Sequence, residues 1–276
     1  MKDFHKSIAA SVIKALIFLH CAFNVLVIGY LTYNSLRGRQ DILGNTLGIP
    51  RAITFDGYYR LIFRDHFLRY FCNSLFVLAG AILLSVFLSS TVSYGLGRYR
   101  FRLKKALKTY FLVGLMFPIQ LGIVPIFLLM SNLRLIDTYW SVILICGSSI
   151  SMAVFLLTNF YAGLPEEFYE AAVLDGSGEY RTFAQIMFPL ASPVVFSMSI
   201  LTAVSIWNQF FVPLIFLQSE EKKTIPLMVM TYTARLLTTI DLAFVISILS
   251  TLPILALFIV FSSKILNSIA EGGIKG

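Results

Sequence analysis

Six apolar runs, each about as long as a lipid bilayer is thick, leave this chain few ways to fold. A membrane-spanning helix needs roughly 20 mostly apolar residues. Runs of that kind extend from about Ser11 to Tyr33, Phe71 to Leu96, Leu107 to Met130, Tyr139 to Tyr161, Leu190 to Leu217 and Leu242 to Leu266. Only 13% of the 276 residues are charged and 58% are hydrophobic. Soluble domains carry about twice that charged fraction, so too few polar residues remain to coat a water-exposed surface. The expectation is an all-α, polytopic membrane protein with six transmembrane helices in a single domain over residues 1–276. The first run is no cleavable signal peptide, because it is too long and lacks a small-x-small cleavage site.

The net charge of +8 fits basic residues near a membrane surface better than a nucleic-acid partner. Lys and Arg near helix ends set orientation. The loop GRYRFRLKKALK carries Arg98, Arg100, Arg102, Lys104, Lys105 and Lys108 without an acid, which places it in the cytoplasm. Both termini then lie in the cytoplasm too. Against this, the loop at about 34–70 carries Arg37, Arg39, Arg51, Arg60, Arg64 and Arg69. That loop is longer and mixes in Asp41, Asp56 and Asp65, so the short basic loop decides. Aromatics in ITFDGYYRLIF suit the interface. The stretch at about 218–241 is the other sizeable outer segment.

The segment LPEEFYEAAVLDGSGEYRTFAQIMFPLASP has its own local design. Pro165 suits the first turn of a helix, and Glu166 and Glu167 favour its positive end. Phe168, Ala171, Ala172 and Leu174 recur at helical spacing. Asp175-Gly176 breaks the helix, with Gly176 able to take the left-handed conformation. Ser177 or Gly178 starts a second helix with Tyr180, Phe183, Ile186 and Met187 on its apolar face, and Pro189 ends it. The small side chains of Ala171 and Ala172 permit close approach. Glu166, Glu167, Glu170, Asp175 and Glu179 outweigh Arg181. Either a protein partner docks here, or the hairpin packs on its own bundle.

This hairpin resembles the EAA loop of permease subunits in ABC importers, at about 164–189 between the fourth and fifth spans. Glu170, Ala171, Ala172, Asp175, Gly176, Ile186 and Pro189 match that pattern, and Phe188 stands where leucine is usual. The stretches FPIQLGIVPIFLLMSNLRLIDTYWSVIL, WNQFFVPLIFL and the tail GGIKG are similar to the carbohydrate branch, of the maltose-transporter type. The resemblance implies a bacterial inner-membrane, multi-pass sugar permease. Its expected partners are a second homologous permease, two ATPase subunits, an extracellular sugar-binding protein and the lipid bilayer. It also implies that the loop seats in a cleft of the ATPase, and that the tail with Gly272, Gly273 and Lys275 enters the interface between the two ATPases. In that family the outer loop at about 218–241 reaches the binding protein's sugar site, while the sugar site within the membrane belongs mainly to the partner permease.

Polar groups within the spans face cavities or other helices. Trp207, Asn208 and Gln209 are the densest such group and could line a sugar pathway or bond between helices. Ser148, Ser149, Ser151, Ser247 and Ser250 suit close packing. Pro118, Pro125, Pro213 and Pro253 are expected to kink their helices. His20 and Asn24 lie one turn apart and should face the bundle. Cys21, Cys72 and Cys146 are isolated small core residues. No histidine set has metal-ligand spacing, and no GxxxxGK[ST] loop is present. The chain is therefore not expected to be an enzyme or to hold a cofactor: ATP and Mg would bind the partner ATPase. The alternative, an ion- or proton-coupled secondary transporter, calls for paired carboxylates in the spans, which the sequence lacks. A non-transporting membrane scaffold would leave the WNQFF stretch and the prolines without a role.

Overall fold

The computed structural model describes residues 2–273, with side-chain surroundings for residues 11–261. Every regular element among them is helical. Helix α1 is Lys2–Ser35 and α2 is Phe67–Arg98. Then come α3 (Lys104–Met116), α4 (Ile123–Asn132), α5 (Tyr139–Gly147) and α6 (Ser151–Ala162). The hairpin helix α7 is Glu167–Leu174, and α8 runs helically over Glu179–Trp207. Helices α9 (Phe211–Phe216), α10 (Ile225–Thr233) and α11 (Leu236–Gly273) complete the chain. Among the described residues, four helices are long and apolar enough to cross a membrane alone, and up to six spans result if two bent pairs each count as one.

The contacts divide the chain into two compact units, residues 1–68 with 228–253, and residues 69–227 with 254–276. In the first, Arg37 is fully buried. Its guanidinium meets Asp41 at 2.8 Å and donates to the Asn45 carbonyl at 2.7 Å. The Arg37 hydrogen bond holds the Asp41 carboxyl below the usual carboxylate range. Arg60 pairs with Asp65 at 3.2 Å, and Arg39 donates to the Leu237 carbonyl. The side chains of Arg37, Arg39 and Arg60 are thus tied to protein groups by hydrogen bonds, and Arg64 lies over the Tyr59 ring. His20 and Asn24 do bond to each other, at 3.2 Å, but both are exposed on α1 and do not face inward.

The second unit is organised by α2. Ala81, Ser85, Ser89, Ser93 and Gly97 recur every fourth residue, so they share one face of the helix, and all are buried. That face lies close to α5 and α6. Ser93 Oγ donates to the Val154 carbonyl at 3.3 Å. A Cβ at Gly97 would lie 2.6 Å from the Tyr161 Cβ, and one at Gly147 would lie 3.0 Å from the Ala81 carbonyl oxygen. Small residues let helix backbones approach in this way, and van der Waals contact replaces the hydrophobic drive that lipid removes. The serines of span four, by contrast, sit at the α5–α6 break, where Ser148 and Ser149 are exposed.

The prolines act differently from expectation. Span three breaks at Pro118, where α3 and the following helical segment diverge by 99°. Phe117 is extended there (φ −89°, ψ 110°), as a residue before proline prefers to be. Pro125 and Pro213 make no kink. They sit in the first turns of α4 and α9, where the missing N–H has no intrahelical partner to lose. Pro253 lies inside α11, whose non-helical residue is Thr239. The fifth span does not extend to Leu217: α8 ends at Trp207 and α9 follows separately.

Candidate functional site: the hairpin at the end of α2

Helix α7 starts from Glu166, one residue after Pro165, and ends in a Schellman pattern. The Ser177 N–H donates to the Ala172 carbonyl and the Gly176 N–H to the Val173 carbonyl, both at 2.9 Å. This closure needs a left-handed residue, and Gly176 supplies it with φ +75°. Gly178 then caps the next helical turn. Pro189 does not end that helix. A wide π-turn, Phe183–Met187, comes just before it. Proline offers no N–H and its ring crowds the carbonyl four residues back, and the wider turn relieves both. The hairpin's second arm is therefore the first part of the fifth span.

The two arms present distinct faces. Glu167, Glu170, Ala171 and Leu174 follow helical spacing and are all exposed. Tyr169 and Ala172 lie on the opposite face, and Ala172 is only 3% exposed. The two alanines thus do different jobs: Ala171 is open to another surface, whereas Ala172 lets α7 pack on its own chain. On the second arm Tyr180 is 93% exposed rather than inward. Its expected place is taken by Thr182, which is buried beside Met187.

Beneath the hairpin lies an aromatic layer. Tyr94 of α2 stacks edge-on to Tyr161 of α6 at 5.6 Å and against Phe183 at 5.0 Å. Tyr94, Leu157, Tyr161, Met187, Ala191 and Val195 form one buried cluster, with Ile186 and Phe188 packed on it. Ile186 therefore faces the bundle.

A polar network fixes the rim. Arg98 Nη1 donates to Glu166 Oε1 at 2.9 Å, and its guanidinium lies 4.0 Å from the centre of the Tyr169 ring. The Tyr99 and Tyr169 hydroxyls both donate to the Glu179 carboxylate. Burial, and then that hydrogen bond, pushes the Tyr99 hydroxyl well above the usual phenol range; for Tyr169 the bond to Glu179 comes first. Both therefore stay protonated donors at any physiological pH. Two of the hairpin acids, Glu166 and Glu179, are thus spent on the chain itself. Glu167, Glu170 and Asp175 stay outward, beside Phe168, Val173 and Leu174, the last 87% exposed. By local sequence alone Arg98 marks only topology. Its place, one turn after Tyr94 on an α2 face that meets the acidic hairpin, was the missing signal.

At the other end of this unit Asp137 gathers the chain. Its Oδ1 accepts from the Gln218 and Ser219 N–H groups at 3.0 Å each, and its Oδ2 from Lys222 at 3.0 Å and from the Ser219 hydroxyl. These bonds, the Ser219 hydroxyl first, hold its carboxyl far below the usual range. Asn73 donates to the Glu221 and Lys223 carbonyls at 2.8 and 2.9 Å. The segment at 218–241 is thus pinned at its start and then helical.

Trp207, Asn208 and Gln209 form the junction between α8 and α9. Trp207 is buried, edge-on to Phe71 at 6.0 Å. Asn208 donates to the Val204 carbonyl at 2.8 Å and Gln209 accepts from the Phe211 N–H at 3.1 Å. The Gln209 amide thus satisfies an N–H that the helix break exposes, whereas Asn208 adds a second bond to a carbonyl that its own N–H already reaches at 3.2 Å, and Trp207 and Gln209 line one small cavity. Of the tail residues, Lys275 lies outside the described residues, as do the side-chain surroundings at Gly272 and Gly273. No group of His, Cys, Asp and Glu among the described residues could hold a metal ion.

The comparisons with known proteins agree with one another. Residues 89–270 match the family model described as "Binding-protein-dependent transport system inner membrane component". The chain is 32% identical over 250 residues to the arabinooligosaccharides transport system permease protein AraQ of Bacillus subtilis, covering 89% of each. It is 28% identical over 266 residues to the diacetylchitobiose uptake system permease protein NgcG of Streptomyces coelicolor, covering 95% of this chain and 88% of that one. A crystal structure titled as a bacterial ABC transporter involved in the import of the acidic polysaccharide alginate superposes with a TM-score of 0.76. It covers 92% of this chain and 95% of its own at 23% identity, which speaks for the fold.

Proposed function

The chain belongs to the family of binding-protein-dependent transport system inner membrane components, and we propose that it is the permease subunit of an ATP-driven oligosaccharide importer. The relatives named above are, by name, permeases for arabinooligosaccharides and diacetylchitobiose. The observation that carries the reading is the hairpin. It exposes acidic and apolar side chains outward while Arg98, Tyr99 and the aromatic layer fasten it to the bundle. Such a piece can transmit displacement from a docked protein to the spans, because it is rigid on the bundle side and free on the other.

In this reading α7 is the coupling helix, with Glu170, Ala171 and the Asp175-Gly176 turn at the ATPase surface. Ala172, Ile186 and Pro189 shape it from within. A second homologous permease completes the pathway, two ATPase subunits bind ATP and Mg, and a binding protein delivers the sugar outside. The hairpin end of the bundle is then cytoplasmic, as are both termini. The tied arginines of the first loop support that orientation, since a buried Arg37 contributes nothing at a lipid surface. The α8–α9 junction with Asn208 and Gln209 faces the pathway, and Trp207 fixes it from behind. Gly272, Gly273 and Lys275 reach the ATPase interface.

Co-purification with the ATPase, second permease and binding protein of the same organism tests this. Removal of residues 166–178 should abolish capture of the ATPase while the spans still insert. Sugar uptake by the chain alone, driven by a proton gradient without ATP hydrolysis, would sink it and favour a secondary transporter.

A further inference from the structure

Between the hairpin end of α2 and the start of α3 lies a groove that the coupling role does not use. Thr91, Val92, Gly95, Leu96, Leu107 and Phe111 line it, with Tyr99 and Phe101 at its rim. Its volume is about 520 Å³ and its walls are almost wholly apolar, within the usual range of roughly 300–1,000 Å³ for ligand pockets.

The rim carries an unbalanced charge. No Asp or Glu occurs between Arg98 and Ile136. Arg98 is paired with Glu166, and Lys104 caps α2 by donating to the Gly97 and Tyr99 carbonyls at 3.2 and 2.9 Å. Arg100, Arg102 and Lys105 are exposed, and Lys108 is half-buried. Helix α3 also begins against its own electrostatics. Leu103 offers its first turn no side-chain cap, and Lys104 and Lys105 stand at the positive end of the helix dipole. An external anion at this rim would relieve both faults.

An apolar groove below a ring of cations at a membrane surface matches one chemistry, an acyl chain joined to a phosphate. We propose that the α2–α3 groove binds one anionic phospholipid, its acyl chain along Val92, Leu96, Leu107 and Phe111 and its phosphate among Arg100, Arg102 and Lys105. A free phosphate would leave the groove empty. A protein partner would have to bring acidic residues together with an apolar side chain of matching depth. The groove ends at Tyr99, which holds Glu179, so the lipid would also stiffen the hairpin.

The test uses the assembled transporter in nanodiscs of phosphatidylcholine with or without phosphatidylglycerol, followed by mild detergent extraction and native mass spectrometry. Phosphatidylglycerol should be retained over phosphatidylcholine by about tenfold or more, given the strength of several cations at a lipid surface. The triple change Arg100→Gln, Arg102→Gln, Lys105→Gln should erase that preference. So should Gly95→Leu, which fills the groove without touching a charge, since no atom lies within 4 Å of a Cβ there. Equal retention of both lipids overturns the proposal. Loss with the charge variant but not with Gly95→Leu overturns it in favour of diffuse attraction. Inorganic phosphate that displaces the lipid fully at millimolar concentration reduces the site to an anion site only. Loss of the ATPase from the charge variant would make the rim a protein interface instead, and likewise overturns the lipid reading.

Discussion

Arg98 Nη1 lies 2.9 Å from Glu166 Oε1, with the same guanidinium 4.0 Å over the Tyr169 ring, so one side chain joins the end of α2 to both ends of the hairpin's first turn. Glu166 is largely exposed, so the ion pair alone stabilises by about 1 kcal/mol at most. The ring contact adds roughly another 0.5–1 kcal/mol.

Arg98→Ala should therefore leave insertion and overall stability nearly unchanged but loosen the hairpin. Hydrogen exchange over residues 166–179 should speed up, and sugar-stimulated ATPase activity of the assembled complex should fall while basal activity persists. Arg98→Lys should recover little, because an ammonium lacks the flat face that lies on Tyr169. Parent-like exchange and stimulation in Arg98→Ala would remove the network from the coupling path.

The two alanines should separate folding from docking. At Ala172, 3% exposed, a tryptophan must displace α7 from its own chain, an overpacking cost of about 1–3 kcal/mol. Ala172→Trp should lower the melting temperature of the free permease as well as ATPase capture. Ala171→Trp faces outward and should weaken capture with an unchanged melt. Gly176→Val belongs with Ala172, since a β-branched residue at φ +75° costs roughly 1–2 kcal/mol. Equal behaviour of the two alanine variants in both measurements would show that the buried and open faces are not distinct in function.

Much of this was legible in the chain. The six apolar runs, the left-handed Gly176 and a second arm starting at Ser177 or Gly178 follow from periodicity and from the φ demands of a turn, although the breaks within spans three and four and the true ends of the fifth do not. What could not be read was which side of a short helix meets its own bundle. Ala171 and Ala172 are chemically identical neighbours, and only the tertiary position of α2 assigns them opposite faces. Tyr180 looked inward by spacing because a π-turn at Phe183–Met187 changes the helical phase. Pro189 looked like a terminator for the same reason. The Arg98 pairing joins residues 68 positions apart, which no local pattern marks. The repeat of Ala81, Ser85, Ser89, Ser93 and Gly97 is legible at four-residue spacing, whereas the scattered serines of the other spans share no such face.

That small-residue face carries its own expectation. A Cβ at Gly97 would come within 2.6 Å of the Tyr161 Cβ. Gly97→Ala should therefore prise α2 from α6, destabilising the second unit by about 1–3 kcal/mol despite the better helix propensity of alanine. Gly95→Ala, two residues away with open space around it, should be neutral or slightly stabilising, up to about 1 kcal/mol. Detergent melts of the pair give the comparison. A destabilised Gly95→Ala beside a neutral Gly97→Ala would contradict the packing of α2 on α6.

The Asp137 clamp gives a pH dependence with a definite sign. The bonds from Ser219 first, and then from Lys222 and the Gln218 N–H, hold its folded-state value far below the ordinary 3.8. A depressed carboxyl contributes stability that is present above its unfolded value and is lost only as pH falls through the folded one. The contribution should thus be constant from pH 8 down to about 4 and decline only in stronger acid. Asp137→Asn cannot accept with both atoms and leaves the Ser219 and Lys222 donors short of a partner. It should melt earlier than the parent by a constant margin across that range, with the margin closing only below it. Scanning calorimetry of both proteins between pH 8 and 3 would check this. A margin that shrank already between pH 7 and 5 would mean that the clamp is not held by an ionised Asp137.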